Sequence, residues 1–138
     1  MPRVTHPQEI EVYYVLPALR RELALALKAK GYEQKRISTL LGVTEASISH
    51  YINSKRASAV RFDAVMKQKI SAAALRITDV NVMVRETQAL LSQARNNKTV
   101  CGACHEYSSR AVPAGCTACF DSPSAPFAQS ITIPILKQ

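Results

Sequence analysis

The chain has 138 residues, 47% of them hydrophobic, which suits one small domain with an appendage. Its formal charge is +8, and residues 17 to 69 alone hold eleven Lys and Arg against four Asp and Glu, a net +7. No stretch approaches the roughly 20 apolar residues of a membrane span, and the N-terminus lacks the apolar core of a signal peptide. We expect a cytoplasmic, non-membrane protein with an anionic partner.

The first predicted helix runs from Leu16 to Lys30, after an N-terminal arm over residues 1–16. Pro17 lies in its opening turn, where a missing N–H costs little. Gly31 ends it, since glycine adopts the left-handed conformation at low cost. The helical spacing predicts a buried stripe made of Leu19, Leu23, Ala26 and Leu27.

A second helix is predicted to begin near Gln34, because Ile37, Leu40 and Leu41 fall on one face. Gly42 then allows the chain to leave this helix sharply. Thr44 is suited to cap a third helix. The residues expected to be buried on that helix are Ile48, Tyr51 and Ile52. The residues expected to face outward are Glu45, Ala46, Ser47, Ser49 and His50.

The outward face of the third helix is short and polar, which lets a helix approach the major groove of DNA closely. An ordinary helical hairpin that binds nothing is the plainer alternative. Basic side chains nearby are expected to contact phosphates or simply to be solvated. These basic residues are Lys35, Arg36, Lys55, Arg56 and Arg61.

The segment from Gln34 to Arg56, QKRISTLLGVTEASISHYINSKR, resembles the helix-turn-helix of phage-repressor-like regulators. The resemblance implies sequence-specific binding to double-stranded DNA, with Gln34 touching a phosphate. Ser38 departs from the family, where alanine or glycine is common, and its hydroxyl needs a partner such as the carbonyl four residues earlier. The expected DNA-contacting residues are Gln34, Lys35, Arg36, Thr44, Glu45, Ala46, Ser47, Ser49, His50, Asn53, Lys55 and Arg56.

Two further helices are predicted. One, from about Ala59 to Arg76, completes a helix-turn-helix domain over residues 17–76. The other, from about Asp79 to Arg95, lies in a connecting or dimerisation segment over residues 77–97. Its broad apolar stripe either pairs two copies into a homodimer or packs within the chain. The helix from about Ala59 to Arg76 is expected to bury Phe62, Met66, Ile70, Ala73 and Ile77. The apolar stripe of the helix from about Asp79 to Arg95 consists of Val80, Met83, Val84, Leu90, Leu91 and Ala94.

Residues 98–120 form a predicted small module with little helical periodicity. All four cysteines of the chain lie there, as C-x2-C, eleven residues, C-x2-C: they are Cys101, Cys104, Cys116 and Cys119. This spacing lets two short turns offer four thiolates to one metal ion, and structural zinc is the leading candidate. An iron–sulfur cluster holds the same ligands and would add redox sensing, and a reversible thiol switch is a third possibility. His105 directly follows Cys104, which favours a supporting role.

As a whole, the chain resembles small, mainly archaeal predicted transcriptional regulators that join a repressor-like domain to a C-terminal cysteine cluster. In such relatives the last ligand can be histidine, whereas Cys119 stands here. The tail over residues 121–138 is predicted to be flexible or to hold a short edge strand interrupted by Pro134.

The sequence therefore predicts a mainly α fold and a DNA-binding transcriptional regulator with a four-cysteine metal site. A redox-sensing iron–sulfur regulator and a protein-interaction adaptor of the transcription machinery are the alternatives. No nucleophile with a nearby base, phosphate-cradling glycine loop or carboxylate pair is evident, so we expect no catalysis.

Overall fold

The computed structural model describes residues 3–53 and 59–121, and in these ranges the chain is helical, with no strand. The mainly α class is therefore confirmed for the described residues. Lys55, Arg56 and the tail residues 122–138, including the expected edge strand, lie outside them. The helices are α1 Pro7–Ile10, α2 Leu16–Ala29, α3 Gln34–Leu41, α4 Glu45–Asn53, α5 Ala64–Arg76, α6 Val80–Asn96 and α7 Thr99–Tyr107.

The expectation of an N-terminal arm is wrong from Pro7 onward, because α1 and a π-turn over Glu11–Val15 lead directly into α2. The backbone N–H groups of Thr5 and His6 donate to the Glu9 carboxylate at 3.2 and 3.0 Å, which caps α1. Ile10 and Val15 are fully buried. Hydrophobic burial therefore holds this segment on the protein.

Pro17 is the reason why the sequence predicted the first helix to begin at Leu16, whereas in the structure the chain is helical from Pro7 onward. Proline has no N–H and its ring crowds the preceding turn, so it normally marks a helix start. Here the turn before it is wound as a π-turn, in which the Leu16 N–H donates to the carbonyl of Glu11, five residues earlier. The proline is thus accommodated by a local π-bulge and the helix continues through it.

Helix α2 lies at the centre of the fold and contacts α3, α4, α5 and α6. Its fully buried residues are Ala18, Leu19, Leu23, Ala24 and Leu27. The predicted stripe is confirmed for the three leucines, and Ala26 is half-buried. Apolar residues on more than one face allow this helix to organise the others around it.

Helix α5 begins at Ala64, five residues later than predicted, because the Asp63 carboxylate caps it by accepting from the Met66 N–H at 2.7 Å. The predicted buried set is confirmed: Phe62, Met66, Ile70, Ala73 and Ile77. Burial of these side chains anchors α5 on α2.

Helix α6 uses only part of its predicted apolar stripe within the chain. Leu90, Leu91 and Ala94 are buried, whereas Val80 and Val84 are 41% and 48% exposed. The helix packs against α5, α7 and α3. The C-terminal half of α6 is therefore a core element, and its N-terminal half presents valines at the surface.

The cysteine segment is more helical than its composition suggested. Val100, Ala103 and Cys104, at i, i+3 and i+4, are buried on α7, which packs against α1 and α6. The Asn97 side chain accepts from the Thr99 N–H at 3.0 Å at the start of this helix. The glycine and the two cysteines of this segment made its apolar helical face hard to predict from the sequence, although the core of the protein buries that face.

The packing of α5 against α6 includes an ion pair whose contribution to stability depends on pH. Arg76 donates to both carboxylate oxygens of buried Glu86, each at 2.9 Å. These hydrogen bonds hold the pKa of Glu86 below its ordinary value. The stabilisation is therefore complete above the unfolded pKa of about 4.3 and is lost as the pH falls through the folded pKa.

We expect Glu86→Gln to be less stable than the wild type at neutral pH, because it removes the charge that Arg76 pairs with. The difference in the free energy of unfolding should shrink as the pH falls below the ordinary glutamate range and through the lowered pKa of Glu86 in the folded protein. Urea unfolding of both proteins across this range measures it. A difference that stays constant from neutral to acidic pH would contradict the role assigned to this pair.

Candidate functional site

The turn between α3 and α4 has the geometry that the sequence predicted. Gly42 adopts the left-handed conformation, with φ +65°. The Val43 N–H donates to the Ser38 carbonyl at 3.1 Å, and the Gly42 N–H donates to the Thr39 carbonyl at 3.4 Å. These two bonds form a Schellman motif, which satisfies the last carbonyls of α3 and reverses the chain sharply.

Ser38 supports this turn in a way that the sequence did not predict. Its hydroxyl donates to the carbonyl of Val43 at 2.5 Å, five residues ahead, and the expected bond to the carbonyl four residues earlier is wrong. The Schellman turn brings the Val43 carbonyl back over the last turn of α3. The hydroxyl therefore fastens the turn to the helix, which an alanine at this position would not do.

Two contacts fix the start of α4. Thr44 caps the helix as predicted, because its Oγ1 accepts from the Ser47 N–H at 3.1 Å. The side-chain amide of Gln34 donates to the Glu45 carbonyl at 3.0 Å and so links the first turns of α3 and α4. Ile48 is fully buried and anchors α4 on the helical core. The Thr44 cap, the Gln34 hydrogen bond and the burial of Ile48 together fix the orientation of α4 relative to α3.

Of the residues predicted to face outward on α4, Glu45, Ala46 and His50 are exposed, whereas Ser47 and Ser49 are half-buried. Gln34 is half-buried as well, and the Asn53 amide donates to the Ser49 hydroxyl at 3.2 Å. Tyr51 and Ile52 are partly buried against the core. The exposed members of the predicted set are Lys35, Arg36, Thr44, Glu45, Ala46, His50 and Asn53. Short polar groups thus cover one face of α4, with two cations at the start of α3.

The four cysteines meet at one place, although they come from two different local structures. Cys101 and Cys104 lie on α7, and Cys116 and Cys119 lie in the turns after it. Gly115, with φ +70°, allows the reversal that brings the second pair back. All four line one small cavity of about 20 Å³, whose other lining residues include His105, Arg110 and Phe120.

The electrostatics of the thiols differ with their surroundings. Burial raises the pKa of the Cys104 thiol, and the neighbouring Cys101 and Cys119 raise it further. The Ala118 N–H and the Arg110 guanidinium lower the pKa of Cys116. All four cysteines are free thiols.

These thiols are suitable donors for a soft cation, and they are the donor set that zinc or iron takes in proteins. As the side chains lie, no group of three or more His, Cys, Asp or Glu within residues 3–53 and 59–121 is arranged to hold a metal ion. Binding would require the sulfur atoms to converge to about 2.3 Å from the ion. The four cysteines therefore suit a metal ion in the chemistry of their donor atoms and in lining the same cavity.

The cysteine cluster is fastened to the N-terminal segment. The Val4 N–H donates to the Ser109 hydroxyl at 2.9 Å, and the Ser109 N–H donates to the Val4 carbonyl at 2.7 Å. Arg110 donates to the Thr5 carbonyl at 3.3 Å and contacts the Cys116 sulfur at 4.0 Å. The cluster is therefore joined to the helical body by more than its connecting helix.

An ion pair reinforces this attachment. Arg95 of α6 donates from Nε and Nη2 to the two oxygens of buried Glu11, at 2.5 and 2.9 Å. The hydrogen bonds to Glu11 raise the pKa of Arg95. These partners were not predictable from the sequence, because contacts between residues 84 to 105 positions apart leave no local pattern.

No family profile, curated protein or solved structure matches the chain. None of the helices in the described ranges is both long and apolar enough to cross a membrane. Function is therefore inferred from the chemistry and geometry of the chain itself.

Gly42→Ala should destabilise the protein by about 1 to 2 kcal/mol, because an L-residue strains in the left-handed conformation. Crowding adds nothing, since the nearest atoms to a new Cβ are those of Val80 and Met83 at 3.8 and 3.9 Å. Gly102→Ala is the matched control. Gly102 is helical with open space around it, so alanine should stabilise by about 0.5 to 1 kcal/mol. Equal effects of both changes in urea unfolding would contradict the turn assignment.

Proposed function

We propose that the chain is a sequence-specific DNA-binding transcriptional regulator that inserts α4 into the major groove as the second helix of a helix-turn-helix. The observation that carries this is the α3–α4 pair, held at a fixed angle by the Gly42 turn, the Thr44 cap and the Gln34 bridge. A helix that is held against its neighbour by such contacts suits readout of base edges.

The side chains of α4 match the chemistry of base edges. The Ser49 hydroxyl can donate a hydrogen bond to a base edge or accept one from it. A glutamate such as Glu45 can accept a hydrogen bond from the amino group of cytosine. Ala46 offers an apolar contact for the thymine methyl group. Because the Ser49 and Ala46 side chains are short, the backbone of α4 can approach the groove floor, where the longer side chains of Glu45 and His50 can reach base edges.

The charge distribution supports an anionic partner at the same place. Lys35 and Arg36 are exposed at the start of α3, beside the first turn of α4. Residues 17–69 hold +7 of the net +8. Phosphate contacts dominate protein–DNA affinity, so this region supplies the non-specific part of binding. The basic charge therefore favours DNA as the partner. A protein-interaction adaptor would bind another protein instead.

The proposal includes a homodimer, since two recognition helices one turn of DNA apart double the base contacts. The exposed valines of α6, Val80 and Val84, provide an apolar surface. Val80 also lies near Gly42 in the turn before α4. A dimer formed there would place the α4 helices of the two copies on opposite sides of the symmetry axis.

We assign the four cysteines to a structural metal ion, with zinc as the leading candidate. Most of the residues from Ser108 to Asp121 are exposed, so they bury too little apolar surface to fold by hydrophobic burial alone. Bonds to a metal would supply that stability. An iron–sulfur cluster is the alternative, and it would add a response to redox state.

The DNA assignment is tested on a motif enriched from random duplex DNA. Ser49→Ala or His50→Ala should weaken binding to the motif by about 1 to 3 kcal/mol and leave binding to random DNA nearly unchanged, because only base contacts discriminate. Lys35→Ala should weaken both alike and reduce the salt dependence by about one counterion. Equal losses on motif and random DNA for every substitution would sink the assignment.

The metal assignment is tested by purifying the full chain without oxygen and measuring its zinc, iron and sulfide. We expect about one zinc ion per chain and a colourless protein. Cys104→Ser should lower the zinc content, whereas Ser108→Ala, which keeps all four thiols, should not. A brown protein that contains iron and sulfide would show that the cysteines bind an iron–sulfur cluster and not zinc. Reduced thiols with no bound metal would refute the metal assignment itself.

A further inference from the structure

A cleft of about 660 Å³ lies where the N-terminal segment meets the turns after α7 that carry the second cysteine pair. Residues 5–8 and Glu11 line it from the N-terminal segment, and Arg110 and residues 118–120 line it from these cysteine turns. The end of α6 and the first turn of α7 complete the lining. Pockets for small molecules have volumes of roughly 300 to 1,000 Å³, so this cleft has the size of a ligand site.

The cleft carries one positive charge that no carboxylate neutralises. Its lining holds Arg95 and Arg110 against a single glutamate, Glu11. Glu11 is already occupied, since both of its oxygens accept from Arg95. Arg110, in contrast, forms no ion pair with any residue in the ranges 3–53 and 59–121. His6 is the remaining basic residue of the lining, so the charge favours an anion whether or not His6 is protonated.

The Arg110 side chain is held in place while part of its guanidinium stays available. Its Nε donates to the Thr5 carbonyl at 3.3 Å, and its Nη2 contacts the Cys116 sulfur at 4.0 Å. Both partners are uncharged, because one is a backbone carbonyl and the other a thiol. No acceptor within the described part of the chain occupies Nη1. A guanidinium has five N–H donors, and a carboxylate can therefore bind here with little reorganisation.

An aromatic ring lies next to this cation. Phe120 is 46% exposed, which is unusual for a phenylalanine, and it lines the cleft. Phe120 and Arg110 also line the small cavity around the thiols, so the two side chains are neighbours. Most of the cleft surface is apolar, with contributions from Pro7 and Val100. A ligand ring could therefore pack on Phe120 and cover apolar surface that now faces solvent.

We infer that this cleft binds a small aromatic carboxylate, with the carboxylate on the Arg110 guanidinium and the ring against Phe120. A single unpaired cation in a mostly apolar lining suits one negative charge on an apolar body. A phosphate ester carries more charge and would need a second free cation. The inference concerns ligand binding alone, so it depends neither on DNA binding nor on a bound metal ion.

The probe for this site is 1-naphthaleneacetate, and 1-naphthaleneacetamide is the matched control because it has the same rings without the charge. Chemical shift titration of the full chain in reducing buffer measures both affinities. The acid should shift resonances of the Arg110 side chain, the Val100 methyl groups and the Phe120 ring. The amide should bind roughly tenfold more weakly, because a hydrogen bond between two charged groups is stronger than one to a neutral acceptor.

Two variants separate the roles of the cation and the ring. Arg110→Gln should weaken binding of the acid roughly tenfold and remove its preference over the amide. Arg85→Gln is the matched control, since Arg85 is an exposed arginine of α6 outside the cleft and its loss changes the net charge equally. Phe120→Leu should weaken the acid and the amide alike, by about two- to tenfold, because it removes the ring and keeps Arg110.

The comparison of acid with amide uses the wild type, so it decides the inference even where Arg110→Gln does not fold. The inference is overturned if the acid does not bind up to its solubility limit, if acid and amide bind equally, or if the shift changes lie outside the cleft. Wild-type affinity for the acid in a folded Arg110→Gln variant would also overturn it. Failure of the chain to bind DNA specifically would refute the proposed function alone.

Discussion

Burial of helix α2 between the other helices is the constraint on which the rest of the structure depends. Leu19, Leu23 and Leu27 are fully buried, and each contributes about 2 kcal/mol of hydrophobic free energy. The helix contacts α3, α4, α5 and α6. Because the inner faces of these helices pack against α2, residues such as Glu45 and Ala46 on the other face of α4 are exposed, and α6 lies where it can pack against α7.

The elements closest to the proposed DNA surface were predictable from sequence because their determinants are local. The left-handed conformation of Gly42 and the cap of Thr44 each depend on a few neighbouring residues. The burial of Ile37 and Ile48 follows from helical spacing. The partner of Ser38 was mistaken, because a turn can offer its hydroxyl a carbonyl that no sequence rule identifies. Helical spacing also did not show that Ser47, Ser49, Tyr51 and Ile52 would be only half-buried.

The N-terminal helix and α7 were not predictable in the same way. Pro17 normally marks a helix start, and the π-turn that absorbs it has no sequence pattern that we recognise. The helical face of α7 was hidden in a segment defined by its cysteines. The bonds from Val4 to Ser109, from Glu11 to Arg95 and from Tyr107 to Ala59 join distant parts of the chain. Only the folded structure shows that the cysteine cluster is attached to the helical body.

The proposed regulator thus has two sites on one helical framework, one suited to DNA and one suited to a metal ion. The most direct test of the account is to map amide chemical shift changes in the zinc-loaded protein on titration with the enriched duplex. The account predicts the largest changes at residues 34–36 and 44–50, at the start of α3 and on α4, with smaller ones beyond. Changes concentrated on α7 and the cysteine turns, with α4 unaffected, would contradict it.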